Sequence, residues 1–547
     1  MGSQRKIVEC VPNFSEGKDR EVIEAIASAI RATAGVSLLD VDAGASTNRT
    51  VYTFVGSPEA VVEGALAGAR VAARLIDMAK HKGEHKRLGA LDVCPFIPVS
   101  GGVTMEDCVR CAHLFAGRLA EELHVPVFLY GYASKQEYRK EVPQIRAGEY
   151  EALEGRLKDP KWAPDYGPTA FVPRWGATIV GARKFLIAYN VNLIATKEQA
   201  HRIALAIRAT KANGQPGRLP ATQAMGWYLA EANIAQVTVN ILDHEQTAVH
   251  TVYEEVLKEA AALRLPVTGS EVVGLVPRQA LLDVAAHYTA RESLFVLEED
   301  QKIHLAVSRL GLSSLAPFDP AKRVIEYMIK EEGEDGPTKL VNQTVAKFTR
   351  MVADRTAAPG GGTVGACVGA LGCGLAAMVG KLSYGKKAFE STDSLMRTLI
   401  PPLHHTVERL LALADEDTDA FTEYGLAVKL PEGTTEAERA ARQAAMESGL
   451  RKAISVPLSL MEEVTKLWPV LERLVPVYHR PTTSDLQVAV QCLRTAVYAG
   501  AYNVRINLKL KEAVHLREEI APKVEALIRV AEEQSAKLLS SIEEADV

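Results

Sequence analysis

The sequence predicts a multidomain chain: an N-terminal α/β (α+β) half built of two split β-α-β subdomains, followed by an all-α helical bundle. Three observations predict it. The order strand, helix, strand, strand, helix, strand is written twice between residues 7 and 276. Strand patterns then nearly vanish after the polar, breaker-rich stretch 330–338. Long helical patterns fill the remainder. At 547 residues the chain exceeds a single hydrophobic core. We divide it into 1–183, 184–329, a linker at 330–338, and 339–547.

Each element carries its own signal. Ile7 to Phe14 is a short apolar run and reads as the first strand. Glu21 to Thr33 has helical spacing. Ser37 to Asp42 and Thr50 to Gly56 are strand-like, joined through Gly44-Ala45-Ser46-Thr47-Asn48-Arg49. Ser57-Pro58-Glu59 opens a helix expected to reach Lys80: a capping serine, a proline in the first turn and an early carboxylate. Leu91 to Val99 is the fourth strand.

The order returns with Lys184 to Ala195 as a strand. Thr196-Lys197-Glu198-Gln199 is a capping box opening a helix to about Thr210. Pro220 to Tyr228 and Ile234 to Leu242 resemble paired strands, Thr247 to Leu263 a helix, and Pro266 to Val276 an extended stretch. Two such halves facing each other leave a natural ligand cleft.

Beyond the linker, helices are expected at Leu340 to Asp354, Gly362 to Leu382, Ser394 to Tyr424, Thr435 to Trp468, Ser484 to Leu510 and Ala513 to Ser541. Small residues line several of them (Ala366, Gly369, Ala370, Gly374; Ala496, Ala499, Gly500, Ala501), which lets helices approach closely. Val364 to Gly380 is apolar but short and interrupted by glycines, so it reads as a buried helix rather than a membrane span. The N-terminus has no apolar signal region, and Lys6 stands where a myristoylation site wants Ser or Thr.

The seven cysteines are scattered, which fits a reducing compartment. Cys108-Val109-Arg110-Cys111 has no second pair and reads as helix packing. A net charge of −5 with no long basic tract argues against nucleic acid as a partner. A local basic pocket for an acidic small molecule stays open.

The stretch richest in chemistry is His81-Lys82-Gly83-Glu84-His85, followed by Lys86 and Arg87. It lies in a connection between elements, where catalytic groups concentrate. Three readings stand. An imidazole here is a proton shuttle working near neutral pH. His-x-x-Glu-His also matches a zinc pattern of two ligands and a glutamate base, although Gly83 weakens the helix that this spacing needs. The third reading is a solvated basic loop.

Several long segments, in order, resemble the formimidoyltransferase-cyclodeaminase family of animal bifunctional enzymes. They are Val8-Glu9-Cys10-Val11-Pro12-Asn13-Phe14-Ser15-Glu16-Gly17, Asp40-Val41-Asp42-Ala43-Gly44 with Thr47-Asn48-Arg49-Thr50, the His81–His85 stretch, and Gly89-Ala90-Leu91-Asp92-Val93-Cys94-Pro95-Phe96-Ile97-Pro98. Phe171-Val172-Pro173, Trp175-Gly176-Ala177 and Gly181-Ala182-Arg183-Lys184-Phe185 continue the match, and Ala358-Pro359-Gly360-Gly361-Gly362 and Ser484-Asp485-Leu486-Gln487-Val488-Ala489 carry it into the helical half.

The resemblance implies two reactions of histidine breakdown. The first half would move a formimino group from N-formimino-L-glutamate to tetrahydrofolate. The helical half would cyclise 5-formiminotetrahydrofolate to 5,10-methenyltetrahydrofolate and release ammonia. The family's transferase proton shuttle falls on His85 and its cyclodeaminase proton donor on Asp417. Asp42, Asn48, Arg49 and Glu84 are candidate substrate-binding partners; Asp42 and Asn48 read equally well as turn residues. Lys82, Lys86 and Arg87 suit the carboxylates of either substrate.

The family's folate-contacting loop falls on Gly167, Pro168, Thr169, Ala170, Phe171, Val172, Pro173, Arg174, Trp175 and Gly176. Its two aromatics offer flat surface to a pterin, or it is a packed interdomain loop. Asp417 stands among Asp415, Glu416 and Asp419, whose bland reading is a solvated helix face. Clustered carboxylates would also raise a neighbour's pKa. Pro359-Gly360-Gly361-Gly362 precedes a helix whose N-terminus suits a folate carboxylate, or it only permits a tight turn.

The resemblance further implies polyglutamylated tetrahydrofolate as co-substrate, no metal, a homo-octamer, and a cytoplasmic location with peripheral Golgi, cytoskeleton and centrosome association. Two other functional readings stand beside it. One is a zinc-dependent hydrolase using His81, His85 and an unassigned third ligand. The other is a catalytically decayed folate-binding scaffold at Golgi and cytoskeleton.

Overall fold

In the computed structural model the described residues are 6–45, 47–83, 85–210, 214–329, 339–431 and 435–546. The chain separates into two units, residues 3–331 and 332–547 with the first two residues. The linker expected at 330–338 lies outside the described residues.

The first unit begins with β1 (Ile7–Cys10) and β2 (Asn13–Phe14), not the single strand expected over Ile7 to Phe14. Pro12 has no N–H for a ladder bond, so the strand breaks there. Its carbonyl still accepts from Tyr52, and Val11 N–H donates to Pro95. Asp19 caps α1 (Arg20–Arg31) by accepting from Glu21 and Val22. β3 (Val36–Gly44) and β4 (Arg49–Gly56) follow.

Ser57 caps α2 (Pro58–Leu75), which stops five residues short of Lys80. Ile76 is extended, and Met78 is buried with its N–H on the Arg174 carbonyl, so tertiary bonding ends the helix. β5 (Leu91–Ser100) completes the split β-α-β order: β3, β4, then β1 and β2, then β5, all antiparallel.

The chain then adds what the periodicity did not reveal. α3 (Met105–Leu123) crosses to β6 (Val127–Gly131), and β7 (Thr178–Ala182) inserts between β5 and β6, parallel to both. Between them lie the short helices α4 (Val142–Ile145) and α5 (Glu149–Arg156). Cys108 and Cys111 are buried on α3, and burial pushes both thiols up to about 12, as packing residues require.

The second subdomain repeats the order with β8 (Ile187–Leu193), α6 (Lys197–Ile207), β9 (Thr222–Leu229), β10 (Ile234–Ile241), α7 (Val249–Ala262) and β11 (Val267–Val273). Its sheet runs β11-β8-β10-β9, the same permutation as in the first. The Thr196–Gln199 capping box forms as expected. α8 (Arg278–Arg291), α9 (Glu299–Leu310) and the short turns α10 (Pro320–Arg323) and α11 (Ile325–Met328) close it. A small apolar cluster of Ile7, Val55 and Ile325 with Val99, Phe185 and Leu275 joins the two subdomains.

Among its described residues the second unit holds helices and no strand: α12 (Val345–Val352), α13 (Gly361–Ser383), α14 (Asp393–Val428), α15 (Glu436–Thr465), α16 (Trp468–Leu474), α17 (Thr483–Leu508) and α18 (Val514–Asp546). Two expected boundaries change. Leu340–Asn342 is a 3-10 turn, and Thr344 starts a fresh helix by capping Lys347 N–H. The pattern over Thr435 to Trp468 divides before Trp468, with Pro469 in the first turn of α16.

α13 is long and apolar enough to cross a bilayer, yet it packs between α14 and α17. Its glycines explain how. A Cβ on Gly365 would overlap the Ala499 side chain, and one on Gly369 would stand 3.0 Å from Ala496 and Leu410. Nothing lies within 4 Å of a Cβ at Gly374. Identical substitutions should therefore have opposite signs. Thermal unfolding should show Gly365→Ala destabilising by about 1–3 kcal/mol through overpacking. Gly374→Ala should stabilise by up to ~1 kcal/mol through helix propensity.

Candidate active sites

None of the described residues of the His81–Arg87 stretch is helical, so among them the helical spacing that would aim both histidines at one metal does not form. Gly83 is packed against the Thr47–Asn48 turn, where a Cβ would collide with the Thr47 carbonyl. His81 is buried, and both its nitrogens are engaged: Nε2 donates to the Asn48 carbonyl at 2.9 Å, and Nδ1 accepts from Arg87 Nε at 3.4 Å. No lone pair remains for zinc. Desolvation lowers its pKa and keeps it neutral.

His85 is different. It lies at the surface, and Nδ1 sits 2.7 Å from the Lys86 carbonyl. Only an N–H can meet a carbonyl there, so the proton is on Nδ1 and the lone pair on Nε2. Among the described residues Nε2 has no partner. Desolvation and then the Arg49 cation hold its pKa below the ordinary imidazole value; the Lys86 carbonyl bond acts the other way. His85 is a neutral base at pH 7.

What holds it is a carboxylate that pattern reading did not single out. Asp92 is fully buried. Its Oδ2 accepts from Arg49 at 2.6 Å and Arg146 at 2.7 Å, and its Oδ1 from Leu88 N–H at 2.6 Å. The same Arg49 nitrogen donates to the Lys86 carbonyl at 2.8 Å, the atom that orients His85. A β-bulge aims Asp92. Asn13 pairs with Val93 and Phe14 with Leu91, leaving Asp92 as the extra residue. Leu91 and Cys94 stay in the helix-side core, while Asp92 turns toward the two arginines. The visible signal was a charged residue inside the apolar run Leu91 to Val99.

The candidate binding residues fare unequally. Asn48 is in a left-handed conformation (φ 51°), accepts from Gly17 N–H at 3.0 Å and donates to the Lys82 carbonyl at 2.8 Å. Both ends of its amide are engaged in stapling two loops, as a turn residue's would be. Arg49 is buried in the Asp92 pair and positions His85. Asp42 is exposed on β3, two strands from Asn13 in one cross-strand row. Glu84 lies outside the described residues. Arg87 pairs with Glu151 and Glu149.

The 167–176 loop is bonded to this segment. Gly176 bridges Gly89, Ala90 N–H donates to Trp175 at 2.7 Å, and Tyr150 joins the Arg87 and Pro173 carbonyls. Trp175 does not offer a face to a pterin. It is core, with its indole N–H on Thr178. Phe171 is half-buried against Tyr150, leaving Thr169, Ala170 and Pro173 exposed. Arg174 reaches the Arg74 carbonyl at 3.2 Å and so caps the end of α2.

In the helical unit Asp417 meets the N-terminus of α13. Its Oδ2 accepts from the Thr363 hydroxyl at 2.9 Å, and its carboxylate from the Thr363 backbone N–H. A Cβ on Gly362 would overlap the carboxylate, so glycine is required for this approach. Gly360, at the cap, supplies no side chain. Asp417 caps α13 from another helix, and the site expected to take a folate carboxylate already holds a protein one.

Burial raises the Asp417 pKa above the ordinary carboxylate value, against the Thr363 bonds. Clustered acids are not the cause. Asp415 holds Leu340 N–H at 2.8 Å, Glu416 pairs with Arg409, and Asp419 is exposed.

Residues 7–183 match the formiminotransferase domain, N-terminal subdomain; 188–330 the formiminotransferase domain; and 344–540 the formiminotransferase-cyclodeaminase family. The formimidoyltransferase-cyclodeaminase of Rattus norvegicus is 56% identical over 539 residues, covering 98% of this chain and 99% of its own. The chain belongs to the formimidoyltransferase-cyclodeaminase family.

A Dictyostelium discoideum formimidoyltransferase-cyclodeaminase is 48% identical over 98% of both chains. A glutamate formimidoyltransferase of Thermoplasma acidophilum is 44% identical over 285 residues, 52% of this chain and 92% of its own. Within this family member, the Asp92 cluster generates a sharp expectation. Asp92→Asn leaves Arg49 and Arg146 without their counter-charge and should cost about 3–5 kcal/mol in denaturant unfolding of the first unit.

Proposed function

We propose that the chain runs two consecutive folate reactions of histidine breakdown. The first transfers the formimino group of N-formimino-L-glutamate to N5 of tetrahydrofolate. The second closes 5-formiminotetrahydrofolate to 5,10-methenyltetrahydrofolate and releases ammonia. The observation that carries this is the pairing of two differently tuned groups: a neutral His85 with a free Nε2, and a half-buried Asp417 on Thr363 whose pKa is raised by desolvation.

In the transfer, N5 attacks the formimino carbon and His85 Nε2 takes the N5 proton. The tetrahedral adduct then expels the glutamate nitrogen, which receives that proton back. Asp92 and Arg49 act through the Lys86 carbonyl by fixing the His85 tautomer. In the cyclisation, N10 attacks the same carbon and must give up its proton. The departing nitrogen leaves as ammonia only when protonated; Asp417 supplies that proton and is restored by the one N10 releases, while the Thr363 hydroxyl holds its carboxyl.

The zinc-hydrolase reading has no support in the engaged nitrogens of His81. Loop 167–176 is the proposed folate surface, through its exposed residues rather than Trp175. A polyglutamylated cofactor, a homo-octamer, and a cytoplasmic location with peripheral Golgi and cytoskeletal association extend the proposal, and they rest on the sequence resemblance alone.

Purified protein given tetrahydrofolate and N-formimino-glutamate should form methenyltetrahydrofolate and ammonia together. His85→Ala should lower transfer by roughly 10²–10⁴-fold yet cyclise supplied 5-formiminotetrahydrofolate. Asp417→Asn should accumulate that intermediate. No turnover by folded wild type would sink the enzyme reading and favour the scaffold.

The pH limbs should oppose each other. Transfer needs neutral His85, so its kcat/KM should fall on acidification through a pKa below the ordinary imidazole value. Cyclisation needs protonated Asp417, so its rate should fall as pH rises through a pKa above the ordinary carboxylate value.

A further inference from the structure

Asp92 holds two arginines, and it does not hold them alike. Arg49 is buried, and its Nη1 is engaged twice, by Asp92 and by the Lys86 carbonyl. Arg146 gives Asp92 a single bond, from Nη2 at 2.7 Å. Neither its Nε nor its Nη1 has a hydrogen-bond partner among the described residues. The Arg146 side chain is 13% exposed, so its guanidinium is not sealed in the core as that of Arg49 is.

Charge points the same way. One carboxyl group offers at most one negative charge to two guanidinium groups, so at least one positive charge is left over. The acids further along the Arg146 segment are taken: Glu149 and Glu151 pair with Arg87. A largely buried cation without a full counter-charge is unfavourable, and an anionic ligand relieves it. The position is also fixed. Ile145 is buried, and Arg156 donates to the Ile145 and Ala147 carbonyls on either side of Arg146. The Arg146 charge is felt at the base, where it helps to lower the His85 pKa. A guanidinium with donors to spare therefore stands in the neighbourhood of His85, and a carboxylate is the group it matches in shape and charge.

The transfer chemistry says which carboxylate. His85 returns a proton to the glutamate nitrogen, so that nitrogen must come to Nε2. The α-carboxylate hangs from the same carbon, within about 3.5 Å of the nitrogen by ordinary bond lengths. Folate carries its carboxylates beyond the p-aminobenzoyl group, away from N5.

We propose that Arg146 binds the α-carboxylate of the N-formimino-glutamate donor through Nη1 while Nη2 stays on Asp92. This rests on the transferase reading above and names the residue that holds its donor. One carboxylate, Asp92, then anchors both the arginine that orients the base and the arginine that orients the substrate.

The test is a cycle that pairs a side chain with a substrate group. The full chain, as wild type, Arg146→Gln and Arg146→Lys, is given tetrahydrofolate and one of three donors: N-formimino-glutamate, its α-amide and its γ-amide. Thermal unfolding and cyclisation of supplied 5-formiminotetrahydrofolate are followed alongside. We expect wild type to prefer the α-carboxylate to the α-amide by about 10- to 100-fold in kcat/KM, chiefly through KM. Arg146→Gln should lose most of that preference and keep its response to the γ-amide. Arg146→Lys keeps a charge beside Asp92 without the planar fork and should fall between. Cyclisation should be untouched.

Wild type that uses the α-amide as well as N-formimino-glutamate would overturn the proposal before any variant is needed. So would variants that slow all three donors equally, which marks a role in positioning Asp92 and His85, or variants that lose the γ-preference instead. Tetrahydropteroate, which lacks the glutamyl carboxylates, separates the two sources of anion. If the Arg146→Gln deficit disappears with that acceptor, Arg146 holds folate and the proposal falls. Wild type that transfers nothing from N-formimino-glutamate to tetrahydrofolate would overturn the transferase reading itself.

Discussion

The first unit is organised around one buried carboxylate. Asp92 collects two guanidinium groups and a backbone N–H, drawn from β4, the segment after α4 and the turn before β5. A carboxylate in that position without them would be strongly disfavoured, and so would either arginine without it. The three elements are thus obliged to meet. Because the Arg49 nitrogen on Asp92 also holds the Lys86 carbonyl, the same obligation fixes the ring of His85. The base is exposed and the apparatus that aims it is not. This division suits catalysis, since the proton acceptor must reach substrate while its geometry must not wander.

Asp417 shows the opposite treatment of the same functional group. Its partners are a hydroxyl and a backbone N–H, with no cation among the groups that set its pKa. Burial then dominates, and the carboxyl holds its proton more tightly than usual. Asp92 sits between two guanidinium groups and accepts from both. One residue type has been assigned to two roles by what surrounds it. Gly362 is part of that assignment, because any side chain there would push the carboxylate off the helix end and back toward water.

Much of the fold could be read from the chain because local rules decided it. The Ser57, Thr196 and Thr435 caps, the doubled strand-helix order and the small-residue faces of α13 and α17 are short-range signals. What escaped was set by distant partners. β6 and β7 are short strands parallel to β5, with no hairpin pattern to announce them. The end of α2 depends on a carbonyl nearly 100 residues away.

The sites divide in the same way. His85 and Asp417 are candidates through family position. Asn48 and Trp175 stand open in the sequence between ligand-facing and structural roles, because residue type alone cannot say whether an amide or an indole is already satisfied. In the sequence Asp92 shows only as a charge within an apolar run, since it is the bulge against Asn13 and Phe14 that turns it toward Arg49.

The two sets of proposed catalytic side chains come from different units of the chain, and in that proposal this shapes the chemistry between them. His85, Arg49, Asp92 and Arg146 all belong to residues 3–331, and Asp417 and Thr363 to 332–547. One carbon is attacked twice, first by N5 and then by N10. The first attack wants a base and the second an acid. A single site would have to hold one group at two protonation states through one turnover, or place an imidazole and a carboxylic acid close enough to neutralise each other. Separate units remove that conflict, because each pKa is set by its own burial and its own neighbours. The consequence is that the formimino-folate must change surroundings between the two attacks. Its binding to the first unit must therefore be strong enough to orient the carbon over His85, yet reversible enough to release the pterin once glutamate has gone.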